Sequence, residues 1–142
     1  MGTLPAREPV NYFPMSFGFG KKVDLSFDDA ITKVTAVLQD EGFGVLSDID
    51  VAAKMKEKLD QDMPRYRILG ACNPALAYQA ISAVEDIGLL LPCNVLVRED
   101  GDGKVHVDFM DPSSGLSLVE HPDVEPLAAE VKQMLERACA AL

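Results

Sequence analysis

The sequence predicts a single α+β domain: an antiparallel or mixed sheet of about five strands with helices packed mainly on one face. Three observations predict it. Segments of period-two alternation are interleaved with apolar stripes at helical spacing. Several of the helical segments open on a recognisable cap. The last two strand segments are joined by a short Asp-Gly-Asp-Gly turn rather than by a crossover helix, which favours antiparallel pairing.

Residues 1–14 contain Pro5, Pro9 and Pro14 and read as a flexible arm, with the domain occupying 15–142. The first strand runs from Met15 to Val23. Met15, Phe17, Phe19 and Val23 share one face, and Ser16, Gly18, Gly20 and Lys22 the other. Two glycines leave that second face bare, so another backbone or a ligand is expected to approach Gly18 and Gly20 closely. They lie inside the strand, which removes a phosphate-loop reading of Gly18-Phe-Gly20.

Ser26 caps the first helix with Asp29 at its third position, and Phe27, Ala30, Ile31, Val34 and Leu38 form its stripe. Gly42 ends it. A strand from Phe43 to about Ile49 leads to Asp50, which caps a short helix bearing Val51, Ala52, Met55 and Leu59 on one side. The third strand, Tyr66–Cys72, meets a strong helix start: Asn73 as N-cap and Pro74 at the first position. That helix turns Ala77, Ala80, Ile81 and Val84 inward and ends before Gly88.

The most apolar segment, Gly88–Val97, reads as the fourth strand and pairs with a fifth, Lys104–Met110. Leu89, Leu91, Cys93, Val95 and Val97 face the core, as do Val105, Val107 and Phe109. Matching these faces requires paired residue numbers to sum to an even value. The expected register sets Val95 against Val107, Cys93 against Phe109 and Asn94 against Asp108, with a loop at Asp100–Asp102. An irregular stretch follows to Pro122. A final helix then starts near Asp123, with Val124, Leu127, Ala128, Val131, Leu135, Ala138, Cys139 and Leu142 on one stripe.

This register leaves Leu90, Pro92, Leu96 and Met110 on the face away from the helices. Burying three or four such side chains stabilises by roughly 5–10 kcal/mol, at about 1.5–3 each. Leaving them in water makes an apolar patch. The short helix, a ligand or a second subunit must cover them. A symmetric homodimer is the favoured cover, because most soluble oligomers are symmetric homo-oligomers.

The 142 residues suit one domain, and 48% apolar composition is that of a folded protein. A formal net charge of −10 repels phosphate backbones and anionic bilayers, which argues against nucleic-acid and membrane partners. No apolar run reaches bilayer length. The proline-broken N-terminus lacks a secretory h-region, and Ala6 occupies the Ser/Thr position of a myristoylation motif. A cytoplasmic location is expected. The odd count of three cysteines, Cys72, Cys93 and Cys139, then reads as free thiols, and their spacing offers no zinc knuckle. No metal or other cofactor is implied. The acidic pairs Asp28-Asp29, Asp40-Glu41 and Asp48/Asp50 match helix ends rather than a calcium loop.

Two groups of residues are candidates for chemistry. Cys72 ends a strand where a helix begins, and the unpaired amides there favour a thiolate. The plainer alternative is a small residue closing a turn. Cys93 reads first as a core residue against Phe109, but Cys72-Asn73 and Cys93-Asn94 repeat a dipeptide and would approach if their strands are neighbours. His106 and Asp108 share the outer face of the last strand and can orient a base. No nucleophile is placed beside them, and a solvated strand face is the favoured explanation.

The segments Val23-Asp-Leu-Ser-Phe-Asp-Asp-Ala-Ile31, Glu41-Gly-Phe-Gly-Val-Leu46, Ile49-Asp-Val51, Tyr66-Arg-Ile-Leu-Gly-Ala-Cys-Asn-Pro74 and Ile87-Gly-Leu-Leu-Leu-Pro-Cys-Asn-Val95 resemble the domain of unknown function 302 family of small prokaryotic proteins. The resemblance covers residue 16 to the C-terminus. It implies a TBP-like fold, a curved antiparallel sheet with helices on one side, and a dimer. It implies no activity. The leading functional expectation is therefore a non-enzymatic homodimeric module that binds a small apolar ligand, with Gly18, Gly20, Asn73, Asn94, Leu90 and Leu96 as contacts. The alternative is thiol redox or sulfur transfer by Cys72, with Cys93 resolving.

Overall fold

The computed structural model describes residues 13–14 and 17–142. Among these the elements run β1 (Phe13–Pro14), β2 (Gly18–Val23), α1 (Phe27–Asp40), β3 (Gly44–Asp50), α2 (Val51–Leu59), β4 (Tyr66–Cys72), α3 (Pro74–Ala83), a 3-10 segment (Glu85–Leu90), β5 (Cys93–Glu99), β6 (Val105–Met110), α4 (Pro112–Leu116) and α5 (Glu125–Ala140). The sheet order is β1-β2-β6-β5-β4-β3, and every neighbouring pair is antiparallel. The expected α+β class is thus the observed one. Phe13–Pro14, read as arm from the sequence, pairs with β2, while residues 1–12, Met15 and Ser16 lie outside the described residues.

The caps act as their sequences require. Ser26 Oγ accepts from Asp29 N at 3.2 Å, an Asp50 carboxylate oxygen from Ala53 N at 2.9 Å, and Asn73 Oδ1 from Leu76 N at 3.3 Å. Gly42, at φ +85°, turns the chain from α1 into β3, a conformation that favours glycine. Helices α1 and α5 lie on one side of the sheet. Phe27, Ala30, Val34 and Leu38 of α1 and Val131, Leu135, Ala138 and Cys139 of α5 join Phe19, Leu69, Val95, Val97, Val107 and Phe109 in the main core. Phe19 and Phe109 stack with centroids 5.6 Å apart. A second cluster holds Ala80, Ile87, Leu116, Val124 and Ala128.

Three expectations are corrected. The apolar segment from Gly88 is not a continuous strand. Glu85–Leu90 is helical, Leu91–Pro92 is a cis peptide, and β5 begins at Cys93. Proline has no N–H for the ladder, so the strand cannot run through Pro92. Leu90 is consequently not on a strand face with Leu96. It packs against the second cluster, whereas Leu89, expected in the core, is 87% exposed. Leu96 is half-buried. The outward leucine pair that called for a second subunit therefore does not exist as a surface.

The hairpin register is the second correction. Pairs sum to 204 rather than 202: Val95 faces Phe109, Leu96 faces Asp108, and Val97 faces Val107. Parity was the only constraint from the apolar pattern, and both sums satisfy it. The turn decides between them. Asp100 N donates to Lys104 O at 2.8 Å, which closes a three-residue loop, Gly101–Gly103, with Gly103 at φ +76°. Cys93 pairs with Ala71 and Asn94 with Gly70, not with Phe109 and Asp108. The third correction is Phe17, which lies before β2 and is 69% exposed.

Candidate functional site

At one end of the sheet, β3 and β5 begin and β4 ends. These ends do not meet the helices tightly. A cavity of about 400 Å³ lies there, within the usual range for small-ligand sites. Phe43, Leu46 and Ser47 line it from the start of β3, and Ala71 and Cys72 from the end of β4. Asn73, Leu76, Ala77, Ala80 and Ile81 belong to the α3 cap and helix, and Gly88, Leu91, Pro92 and Cys93 to the lead into β5. Leu116, Leu127 and Val131 complete the wall. Among the described residues no charged side chain borders it. The non-aliphatic, non-aromatic residues among the described lining are Ser47, Asn73, Cys72 and Cys93, with Gly88 and Pro92 supplying backbone and ring.

The local sequence explains the shape. Gly70 lets β4 pass beneath its neighbours, because a Cβ there would stand 2.8 Å from Pro92 Cγ and closer still to Ser47 Oγ. Asn73 is held by its cap bond, and its Nδ2 lies 3.0 Å from the place a Cβ on Gly42 would take. Small residues at Ala77 and Ala80 leave space that a larger side chain would fill. The exposed apolar side chains Leu46, at 71%, and Ile81 stand on the cavity's border.

Cys72 and Cys93 both border the cavity, and all three cysteines are free. Cys72 is half-buried, and Cys93 is 7% exposed. Burial, and then the proximity of Cys72, pushes the Cys93 thiol up to about 11. Burial likewise holds Cys139 at about 11, and it is packed in the core as expected.

The other sequence-predicted group lies at the opposite end of β5, on the sheet face away from α1 and α5. His106 is 3% exposed and Asp108 7%, so this is not the solvated face the alternation suggested. The partners also differ from those expected. A carboxylate oxygen of Asp108 accepts from Arg98 Nε at 3.0 Å, and His106 Nε2 lies 2.8 Å from a carboxylate oxygen of Asp100. The bare face at Gly20 is filled from within. A Cβ there would collide with an Asp108 carboxylate oxygen. Gly18 pairs with Met110 on the same strand pair and is buried. Asn94 is exposed.

Of the six ligand contacts expected from the sequence, then, only Asn73 lines the cavity; Gly18, Gly20, Asn94, Leu90 and Leu96 do not. Sequence reasoning missed Ser47, Leu91 and Pro92. Pro92 was the available signal, since a proline within an apolar run marks the point where pairing must stop. Among the described residues no cluster of three metal-ligating side chains occurs, and no helix is long and apolar enough to cross a membrane.

The family model for the domain of unknown function DUF302 matches residues 19–142. The chain belongs to that family. It is also similar to the crystal structure of an uncharacterized conserved DUF302 protein from Bacillus stearothermophilus. The TM-score is 0.82 at 25% identity, covering 88% of this chain and 97% of the other. No curated protein matches it. Membership extends across both the cavity and the Arg98–Asp108 pair, so it does not by itself choose between them.

Proposed function

We propose that this DUF302 protein is a non-enzymatic module that binds a small apolar ligand in the cavity at the β3–β4–β5 end of the sheet. The observation that carries the reading is an uncharged, almost wholly apolar space of about 400 Å³. Water gains little there, since few polar groups can hold it. An aliphatic ligand would displace it and bury apolar surface at about 25 cal/mol per Å². At about 30 Å³ per methylene-sized group, taken from the volume share of a water molecule, the space holds roughly a dozen such groups. The Asn73 amide and Ser47 hydroxyl offer orientation for one polar end.

This reading does not require the second copy, because Leu90 is packed and Leu96 half-buried within one chain. The competing redox reading meets a geometric objection. Cys93 pairs with Ala71, so strand alternation sends the Cys72 Cβ to the opposite sheet face. A direct disulfide needs Cβ atoms about 3.5–4.5 Å apart.

The test is titration with the neutral dye N-phenyl-1-naphthylamine and displacement by decanol. Saturable binding is expected. Ala77→Phe, which fills the space from α3, should weaken it about tenfold or more while the melting temperature holds or rises. Leu96→Ala, on the other face, should leave binding unchanged. Equal loss in both variants, or no saturable binding, overturns the reading.

A further inference from the structure

We propose that the ligand is an uncharged medium-chain aliphatic with one hydrogen-bonding head group, such as a primary alcohol, and that the site turns away the fatty-acid anion of the same length. The inference rests on the apolar-ligand reading above and names its substrate class. Charge separates the two compounds. A head group drawn into the cavity leaves water, and an ionised carboxylate then needs a cation or several N–H donors in its place. Among the described residues that line the space there is no Lys, Arg or His. Ser47 and Asn73, the hydroxyl and amide residues of the lining, are neutral. Such groups can match a hydroxyl head, which also donates and accepts, but they cannot neutralise a carboxylate.

The surroundings are the independent observation. Where the lining segments leave the cavity they run into acids. Asp48 follows Ser47, and Glu85 and Asp86 precede Gly88 in the 3-10 segment. Arg67 on β4 pairs with that Asp48, and Lys132, next to Val131 on α5, lies 3.2 Å from an Asp111 carboxylate oxygen. Neither cation is therefore free to meet a ligand. Over the whole chain the formal charge is −10. An anion nearing the cavity meets a field of its own sign, felt over about 8 Å at physiological ionic strength.

A carboxylate is thus penalised whether it is drawn inside or held at the border, whereas a hydroxyl is penalised in neither place. At about 400 Å³ the space takes a chain of about ten carbons with its head. Protonation of the fatty acid removes the penalty, so its affinity should follow the fraction of neutral acid. The titratable residues of the described lining are Cys72 and Cys93, and a thiol acquires no charge as pH falls. The acids next to the lining are Asp48, Glu85 and Asp86. Decanol carries no charge from pH 7.5 to 5.5, so it reports any change in the protein itself.

The test is displacement of N-phenyl-1-naphthylamine from the full-length protein by decanol and by decanoate. At pH 7.5 decanol should bind about tenfold or more tightly. A simple carboxyl ionises near about 4.3, so between pH 7.5 and 5.5 the apparent affinity for decanoate should rise about tenfold per unit as pH falls, while that for decanol stays constant. Leu46→Lys and Ile81→Lys each place a cation at the border, at positions 71% and 45% exposed where a lysine is tolerated. At least one should raise decanoate affinity about tenfold at pH 7.5 and leave decanol within about threefold. Equal displacement by the two compounds at pH 7.5, a decanoate affinity indifferent to pH, or no gain in either lysine variant overturns the proposal. In those cases the apolar site stands so long as decanol displaces the dye. If the dye does not bind, or neither compound displaces it, both readings fall.

Discussion

The two ends of β5 present opposite chemistry. At its C-terminal end, Arg98 reaches Asp108 on β6, and His106 reaches Asp100 in the adjoining turn. At its N-terminal end, Cys93 and the neighbouring Cys72 border an apolar cavity. The first region gathers a histidine, two aspartates and an arginine, yet these groups are turned on one another, with His106 and Asp108 buried. The second holds almost none, and a cavity lies beside it. A perturbed or buried ionisable cluster marks a functional site only when it also faces room for a ligand. Here the ionisable cluster ties strands together, and the apolar end is the place where something else can bind.

The sharpest way to break this contrast is to remove one member of the ion pair. Arg98 and Asp108 side chains are 14% and 9% exposed. Asp108→Ala strands a guanidinium that is already mostly out of water, which should destabilise by about 3–5 kcal/mol in urea denaturation. Dye binding at the far end should survive wherever the variant is folded. The double variant Arg98→Met, Asp108→Leu should recover most of the loss, because paired apolar replacements often equal a buried pair. A loss below about 1 kcal/mol for Asp108→Ala would mean that the pair is no structural tie, and the comparison would fail at its first step.

Gly20 tests the same cluster from β2. Its substitution by alanine forces the Asp108 carboxylate aside and brings the new methyl to 3.0 Å from Val107 O. The expected cost is about 1–3 kcal/mol. Most of that should vanish when Gly20→Ala is made in the Asp108→Ala background, since the clash and the ion pair share one carboxylate. Additive losses would show that Gly20 is required for a reason other than Asp108.

The sequence revealed the elements more fully than their docking. Ser26, Asp50 and Asn73 each announce a helix start through local chemistry, and β4 was bounded correctly because Asn73-Pro74 can only follow its end. The α5 stripe was legible because packing repeats every turn along a long helix. The 3-10 segment was not, because an apolar run of that length reads equally as strand or helix, and the weight of leucines outvoted one proline. The register slipped by two because parity survives such a slip. The cavity was half legible. The Cys72-Asn73 junction pointed to it, but its walls come from distant segments such as Leu46, Leu91 and Val131, whose meeting depends on helix docking. The Arg98–Asp108 pair was hidden by the same register error, which had put Asn94 opposite Asp108.

The smallest effect concerns the turn that fixes this register. Burial alone would raise the Asp100 carboxyl. The hydrogen bond with His106, the backbone amides of Lys104 and Asp102, and the charge of His106 outweigh burial and hold it at about 2, below the ordinary 3.8. A carboxyl depressed in the folded state stabilises when ionised. Its contribution is therefore complete above the unfolded value near about 4 and drains away as pH falls through about 2. Denaturant midpoints measured from pH 5 down to 2.5 should fall for the wild-type chain. Asp100→Asn should start lower and fall less, because its turn has no proton to gain. Asp111 is also held low and titrates in both proteins, so the difference between the two curves isolates Asp100. Parallel curves would mean that the Asp100 contacts do not favour the ionised turn, and that β5 and β6 keep their register through Gly103 and the apolar face alone.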